Sequence, residues 1–455
     1  GTRAVMSSPE METLVQNHGL SLRGAEATKP PFSYLHAFFK AMSSPYDRES
    51  NPDGYVNLAV AQNFLTVDAV QRRLSAAMRL PQPTTTAGYD NMRGSDRLRN
   101  ALARHMRRVI APDADEESIH PDRLCVSAGC GAVIDNLFMT ITARGDGVLI
   151  PAPYYPAFDN DLKVRNGVHA IAVQGVNDES LPNLQQIGAA IEHATAKGIE
   201  VRAVLLTNPS NPLGVVYTNK EMLKLCRAVL KEGLHVVVDE VYASSRWCGG
   251  DGDIKFVSAL NWKPSDFAGD DWALGDVQKA MATHLHCVYG LSKDFCASGY
   301  RVGVLCTRNT MVIKAMDNVG YFCAVPGPLQ FAVAEMLEDE QWIDAFLAEN
   351  SNNLKQARGV LCGVLHNAGV PVVNSTAGMF VWIDLAAWMG AQTWAEERRL
   401  WSACFEDEKT KLVMTPGRDC RSATPGKFRI CFAAVKREAL VVAASRLVDL
   451  LGRYR

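Results

Sequence analysis

The 455-residue sequence contains no apolar run of the roughly 18 residues needed to span a membrane. Its twelve cysteines are scattered, with no C-x-x-C pair and no His/Cys cluster at ligand spacing. Neither a disulfide framework nor a structural metal site is therefore expected. Charge of one sign is lacking too: 47 Lys and Arg against 49 Asp and Glu leave a net −2. Global attraction to nucleic acid or to an anionic membrane surface is thus excluded. The doublets Arg72-Arg73 and Arg107-Arg108 read as solvated helix faces. No internal repeat and no signal-peptide pattern is present, so free thiols point to a reducing, cytoplasmic setting.

What is present is an ordinary globular composition in a chain too long for one growing core, which predicts two domains or one large domain with a satellite. Residues 1–50 read as an N-terminal arm, polar and aperiodic to about residue 30 and then aromatic (Phe32, Tyr34, Phe38, Phe39). Asn51-Pro52-Asp53-Gly54 is a turn by its residue chemistry. Apolar runs at 124–129, 147–151, 201–207, 235–239 and 286–289 read as buried strands, with helical patterns between them. One such helix carries Met222, Leu225, Cys226 and Val229 on one face and is ended by Gly233. Continuous apolar strands alternating with helices predict an α/β fold with a mostly parallel central sheet flanked by helices. The large domain is expected over 51–325, with a Gly- and Asp-rich surface excursion at about 249–285. A smaller α+β domain is expected over 326–455, around the strands 377–384 and 427–433.

Several polar residues stand at the carboxyl ends of these strands, where open α/β sheets bind ligands. Lys293 lies in Tyr289-Gly-Leu-Ser-Lys-Asp294, ahead of Gly299-Tyr-Arg-Val-Gly303. That spacing puts Ser292 and Arg301 beside one phosphate and leaves Lys293 as an amine nucleophile. Gly131 and Ala132 open a helix after a strand, where free amides suit an anion. Tyr155, in Pro153-Tyr-Tyr-Pro156, can stack on a planar ring. Asn211, in Asn208-Pro-Ser-Asn-Pro-Leu-Gly214, offers an amide at a rigid turn. Asp239 ends the most apolar strand, where an acid needs a cationic partner such as a pyridinium N–H, and Tyr242 follows three residues on. Arg429 sits inside an apolar strand, which a bidentate carboxylate partner would explain.

Taken together, Asn-Pro-Ser-Asn-Pro-Leu-Gly, Asp-Glu-Val-Tyr, Ser-Lys with Gly-x-Arg-x-Gly, and Phe-Arg-Ile-Cys-Phe-Ala resemble the class I aminotransferases of the pyridoxal-phosphate (PLP) fold type I superfamily. More narrowly, with Ile150-Pro-Ala-Pro-Tyr-Tyr-Pro-Ala-Phe158, the chain is similar to the 1-aminocyclopropane-1-carboxylate synthase group over roughly residues 50 to 450. The resemblance implies an aspartate-aminotransferase-like fold, bound PLP and a homodimer with shared active sites. It implies Lys293 as the Schiff-base lysine and proton shuttle, Asp239 at the pyridine nitrogen, Asn211 and Tyr242 at the ring oxygen, and Tyr155 stacked on the ring. Ser292, Arg301, Gly131 and Ala132 would hold the phosphate, and Arg429 the substrate's α-carboxylate.

Gln62 stands where plant synthases carry a glutamate, and it keeps the size but not the charge that suits a sulfonium. Met92 stands where they carry a tyrosine that crosses the dimer interface, with Tyr89 nearby. Gly290 and Ala132 replace hydroxyl residues around the phosphate. Gln62, Tyr89 and Met92 are thus expected to line the substrate side. The reading is a PLP enzyme acting at Cα of an amino acid by carbon–sulfur elimination, with transamination as the alternative. A PLP-binding regulator fused to a DNA-binding module is the reading from another class, and the arm before residue 50 is too short and too weakly basic for that module.

Overall fold

A computed structural model describes residues 9–247 and 254–454 of the chain. The chain enters through three helices, Pro9–His18, Leu22–Glu26 and Leu35–Ser43, and a two-residue strand β1 (Val56–Asn57). The central sheet is built from β2 (Leu124–Ser127), β3 (Gly147–Ala152), β4 (His169–Gln174), β5 (Val201–Thr207), β6 (His235–Asp239), β7 (Leu285–Gly290) and β8 (Gly303–Thr307). Their order across the sheet is β2-β8-β7-β6-β5-β3-β4. The run from β7 to β4 is parallel throughout, and β8 is antiparallel to both of its neighbours.

The central strands are buried on both faces, which is why they read as unbroken apolar runs: Val236, Val237 and Val238 of β6 are wholly enclosed. The helix Asn219–Lys231 covers one face with Met222, Leu225, Cys226 and Val229. Thr218 and Glu221 close its first turn as a capping box, and Gly233, at φ +73°, turns the chain out of it. Each such apolar side chain contributes about 1.5–3 kcal/mol by leaving water.

A second sheet is antiparallel, in the order β11-β12-β9, from β9 (Phe380–Asp384), β11 (Thr415–Pro416) and β12 (Lys427–Cys431); β10 (Leu412–Val413) pairs in parallel with β1. The helices Glu340–Asn367, Trp394–Glu406 and Arg437–Arg453 surround it. Residues Tyr34, Ala37, Tyr55, Val56 and Leu58 share a core with this C-terminal region. A division at residues 51 and 326 leaves that sharing out, because pairing of β1 with β10 was not visible in either two-residue strand.

Two expectations need correction. The stretch before residue 30 is not aperiodic where it is described, since it holds the helices Pro9–His18 and Leu22–Glu26. The stretch 249–285 lies partly outside the described residues at 249–253, and its remainder is no surface excursion. Trp262 and Phe267 are buried, and the helix Leu274–His284 is the crossover that leads into β7, placing Val277 and Met281 against the sheet. The Gly- and Asp-rich composition masked anchoring aromatics spaced too far apart to show a period. Among the described residues, no helix is long and apolar enough to cross a membrane.

Candidate active site

The ends of β2, β3, β5, β6 and β7 converge on one cavity of about 240 Å³. Gly131, Tyr155, Asn211, Asp239, Tyr242, Ser292, Lys293 and Arg301 all line it. Ala132 lies one residue further along its helix and is not part of the lining.

Lys293 sits in the short helix Leu291–Asp294, immediately after β7. Its Nζ donates to the backbone carbonyl of Ala61. Burial lowers its pKa to about 8, so the amine is partly neutral, and hence nucleophilic, near physiological pH. Behind it, the Asp294 carboxylate accepts from the Ser244 amide at 2.8 Å and the Ser245 hydroxyl at 2.7 Å, tying the lysine turn to the turn after Tyr242.

Arg301 has left-handed backbone geometry, φ +56°, and donates to the carbonyls of Ser298 at 3.1 Å and Ala128 at 3.3 Å. Its guanidinium lies so close to Gly129 that a Cβ there would fall 2.5 Å from Nη2. Gly129 caps the helix Cys130–Ile141, whose first residues, Cys130 and Gly131, line the cavity. A Cβ on Gly303 would lie 2.4 Å from the Gly129 carbonyl carbon, and one on Gly290 would lie 2.5 Å from the Cys130 sulfur. Lack of side chains at 129, 290 and 303 thus lets helix, strand ends and guanidinium meet.

At the opposite side, Asp239 accepts from the Val241 amide at 3.2 Å. Burial pushes its pKa up to about 7, against the lowering effects of that amide and of Lys293. The Tyr242 hydroxyl accepts from Asn211 Nδ2 at 3.3 Å, and Asn211 Oδ1 accepts from Arg429 Nη1 at 2.8 Å. Arg429 is almost wholly buried; its Nη2 donates to the Ala59 carbonyl and to Thr415 Oγ1 at 3.1 Å, while its Nε has no hydrogen-bond partner among the described residues. A buried guanidinium with a donor to spare suits an entering carboxylate.

Arg429 is itself outside the cavity lining and touches it through Asn211, and the remaining expected residues stand further apart. Gln62 is half-buried outside the lining, and its carbonyl accepts from the Cys431 thiol at 3.4 Å. Tyr89 is 91% exposed, and Met92 lies with its carbonyl against Gly320. Neither reaches the cavity of its own chain. Conversely, Cys130, Asp161 and Ser298 line it without having been singled out from sequence. For Asp161 a signal existed: it lies three residues past the apolar Phe158, on the same helical face. The Ala59 and Ala61 carbonyls carry no side-chain signature at all.

Residues 54–447 match the family model for aminotransferase class I and II. The chain is 33% identical to 1-aminocyclopropane-1-carboxylate synthase 4 of Oryza sativa subsp. japonica, over 90% of this chain and 85% of that one. It is 28% identical to 1-aminocyclopropane-1-carboxylate synthase 9 of Arabidopsis thaliana, over 92% and 87%. In three dimensions it is similar to the aspartate aminotransferase of Thermus thermophilus with maleate, with a TM-score of 0.71 at 23% identity, covering 95% of this chain and all of that one. The aromatic aminotransferase of Pyrococcus horikoshii gives 0.69 at 20% identity.

Proposed function

The chain belongs to the class I and II aminotransferase family, whose members are PLP-dependent enzymes acting on amino acids, and from that premise we propose carbon–sulfur elimination from a sulfur amino acid as its reaction. PLP, when bound, supplies an aldehyde for the substrate amine and a ring that accepts electrons from Cα. The cavity suits that group: an amine of lowered pKa stands at one wall, a buried acid lacking a cation at another, and a glycine-lined helix start with an arginine at a third.

In this reading Arg429 takes the substrate's α-carboxylate through its spare Nε, fixing Cα. Lys293 then removes the Cα proton, which its lowered pKa permits near neutral pH. Asp239 would hold positive charge at the ring nitrogen, Asn211 and Tyr242 would serve the ring oxygen, and Tyr155 would stack on the ring. Ser292, Arg301 and Gly131, with Ala132 one residue behind the lining, would hold the phosphate. A neutral sulfur substrate is favoured because Gln62, outside this chain's own lining, adds no charge to attract a sulfonium, and Met92 would reach a site only from a second copy.

Homodimer formation is part of the proposal. Tyr89, Tyr321 and Phe322 are 91%, 60% and 79% exposed, and the Met92 turn packs against Gly320 beside the last two. A second copy would cover these rings and bring Tyr89 and Met92 toward a neighbouring cavity. A cytoplasmic setting is proposed as well, supported by eleven described cysteines that are all free.

The observation that carries the reaction is the 33% identity to a synthase over nine-tenths of the chain, joined to a cavity holding Lys293, Asp239 and Arg301. The test is turnover of the holoenzyme with S-adenosylmethionine and with a neutral cysteine conjugate. Release of the sulfur group without any 2-oxo acid, faster from the neutral substrate, is expected. Stoichiometric consumption of a 2-oxo acid would replace this reading with transamination.

A further inference from the structure

Asp161 is a second acid in the cavity, and the mechanism above makes no use of it. It projects from the helix Ala157–Lys163 and lines the cavity together with Phe158 and Asp239. Among the described residues no side chain or amide hydrogen-bonds its carboxyl group; burial raises its pKa to about 7, and the neighbouring Asp135 and Asp239 push it the same way.

The charged groups around it are already engaged. Asp135, on the helix Cys130–Ile141, is ion-paired with Arg165 and hydrogen-bonded by Asn166. Tyr155, at the entry to Asp161's own helix, is a neutral phenol whose pKa burial raises. Lys293 turns its amine to the Ala61 carbonyl, Arg301 is held by Ala128 and Ser298, and Arg429 by Asn211, Ala59 and Thr415. The cavity therefore holds two acids, the buried Asp239 and the half-buried Asp161, and neither makes an ion pair among the described residues.

Two carboxyl groups in such a place keep protons that they would lose in water. A basic ring nitrogen held in the same cavity would reverse the preference. One proton leaves a carboxyl oxygen and forms the N–H bond, and a carboxylate and a cationic ring remain where two neutral groups stood. The second acid then lowers the energy of that cation through space.

We propose that Asp161 is a second acid partner of the cofactor's ring nitrogen, acting with Asp239 to keep that nitrogen protonated. The inference rests on the PLP reading and extends it to a residue on a different element from Asp239. It makes retention of the ring charge the work of a pair, so that Asp239 alone is insufficient at alkaline pH.

The experiment compares wild type with Asp161→Asn, which keeps the shape and removes the charge, and with Asp161→Ser, which leaves room for water. Apoprotein of each, checked for fold by circular dichroism, is titrated with PLP by fluorescence. The holoproteins are then followed by ¹⁵N NMR of ring-labelled PLP from pH 6 to 9. Expected for the variants are roughly tenfold weaker PLP binding and loss of the ring proton about one pH unit lower than in wild type. A folded variant that matches wild type in both measurements would overturn the proposal. A wild-type protein that takes up no PLP would instead overturn the cofactor reading on which it stands.

Discussion

Asp239 places an ionisable oxygen at the end of a strand made of valines, and burial has already moved its pKa up to about 7. In the proposed mechanism its negative charge exists for the sake of the ring nitrogen. Asp239→Asn is isosteric and retains an acceptor for the Val241 amide, so the fold is expected to persist with an unchanged melting temperature. Loss of the charge partner removes on the order of 3–5 kcal/mol, hence roughly 10²–10⁴-fold in kcat, which steady-state kinetics at pH 7.5 would read. Near wild-type turnover would contradict the role. Acids and amines of this kind are conspicuous in a sequence because a charge ending an apolar run demands a partner. The contacts made by Ala59 and Ala61 were invisible, since any residue offers the same backbone carbonyl. Tyr89 and Met92 rest on resemblance alone, and both lie away from the cavity of their own chain.

At the scale of elements, the segment 58–66 and the long helix Glu340–Asn367 meet at a buried knot. Asn350, wholly enclosed at mid-helix, accepts through Oδ1 from Asn63 Nδ2 at 2.8 Å and from the Thr66 hydroxyl at 2.7 Å. Its Nδ2 donates to the Asp294 carbonyl at 3.4 Å, one residue from Lys293. Asn350→Leu would leave the Asn63 and Thr66 donors without their acceptor in a dry interior. The expected loss is about 2–4 kcal/mol of unfolding free energy, measurable as a lower urea midpoint at unchanged m-value. A loss below about 0.5 kcal/mol would show that the knot relaxes onto other acceptors. Elements differed in legibility for physical reasons. Strands β5, β6 and β7 were plain because both faces are buried. Strand β4 is an edge of mixed exposure, and β8 is short, antiparallel and begins in a glycine motif that reads as a loop.

On the scale of the whole molecule, the exposed rings of Tyr321 and Phe322 are the test of the proposed dimer. Phe322→Glu introduces one charge per copy, so a two-fold interface receives both. Dissociation into monomers at micromolar concentration, with a dimer Kd weakened by at least about tenfold, is expected in sedimentation experiments. Activity should fall with dissociation if each site borrows from its neighbour, and an unchanged, fully active dimer would refute the shared-site arrangement. The glycines at 129, 290 and 303 carry a different consequence. At Gly303 and Gly129 an added methyl would meet backbone or guanidinium atoms, so the seat beneath the helix Cys130–Ile141 leaves little room for variation one substitution at a time. Across the site, Ala59 meets Arg429 through its backbone carbonyl alone, so that contact makes no demand on which side chain stands at 59. Descendants of this chain are therefore expected to inherit those three glycines together or to lose the cofactor seat with them.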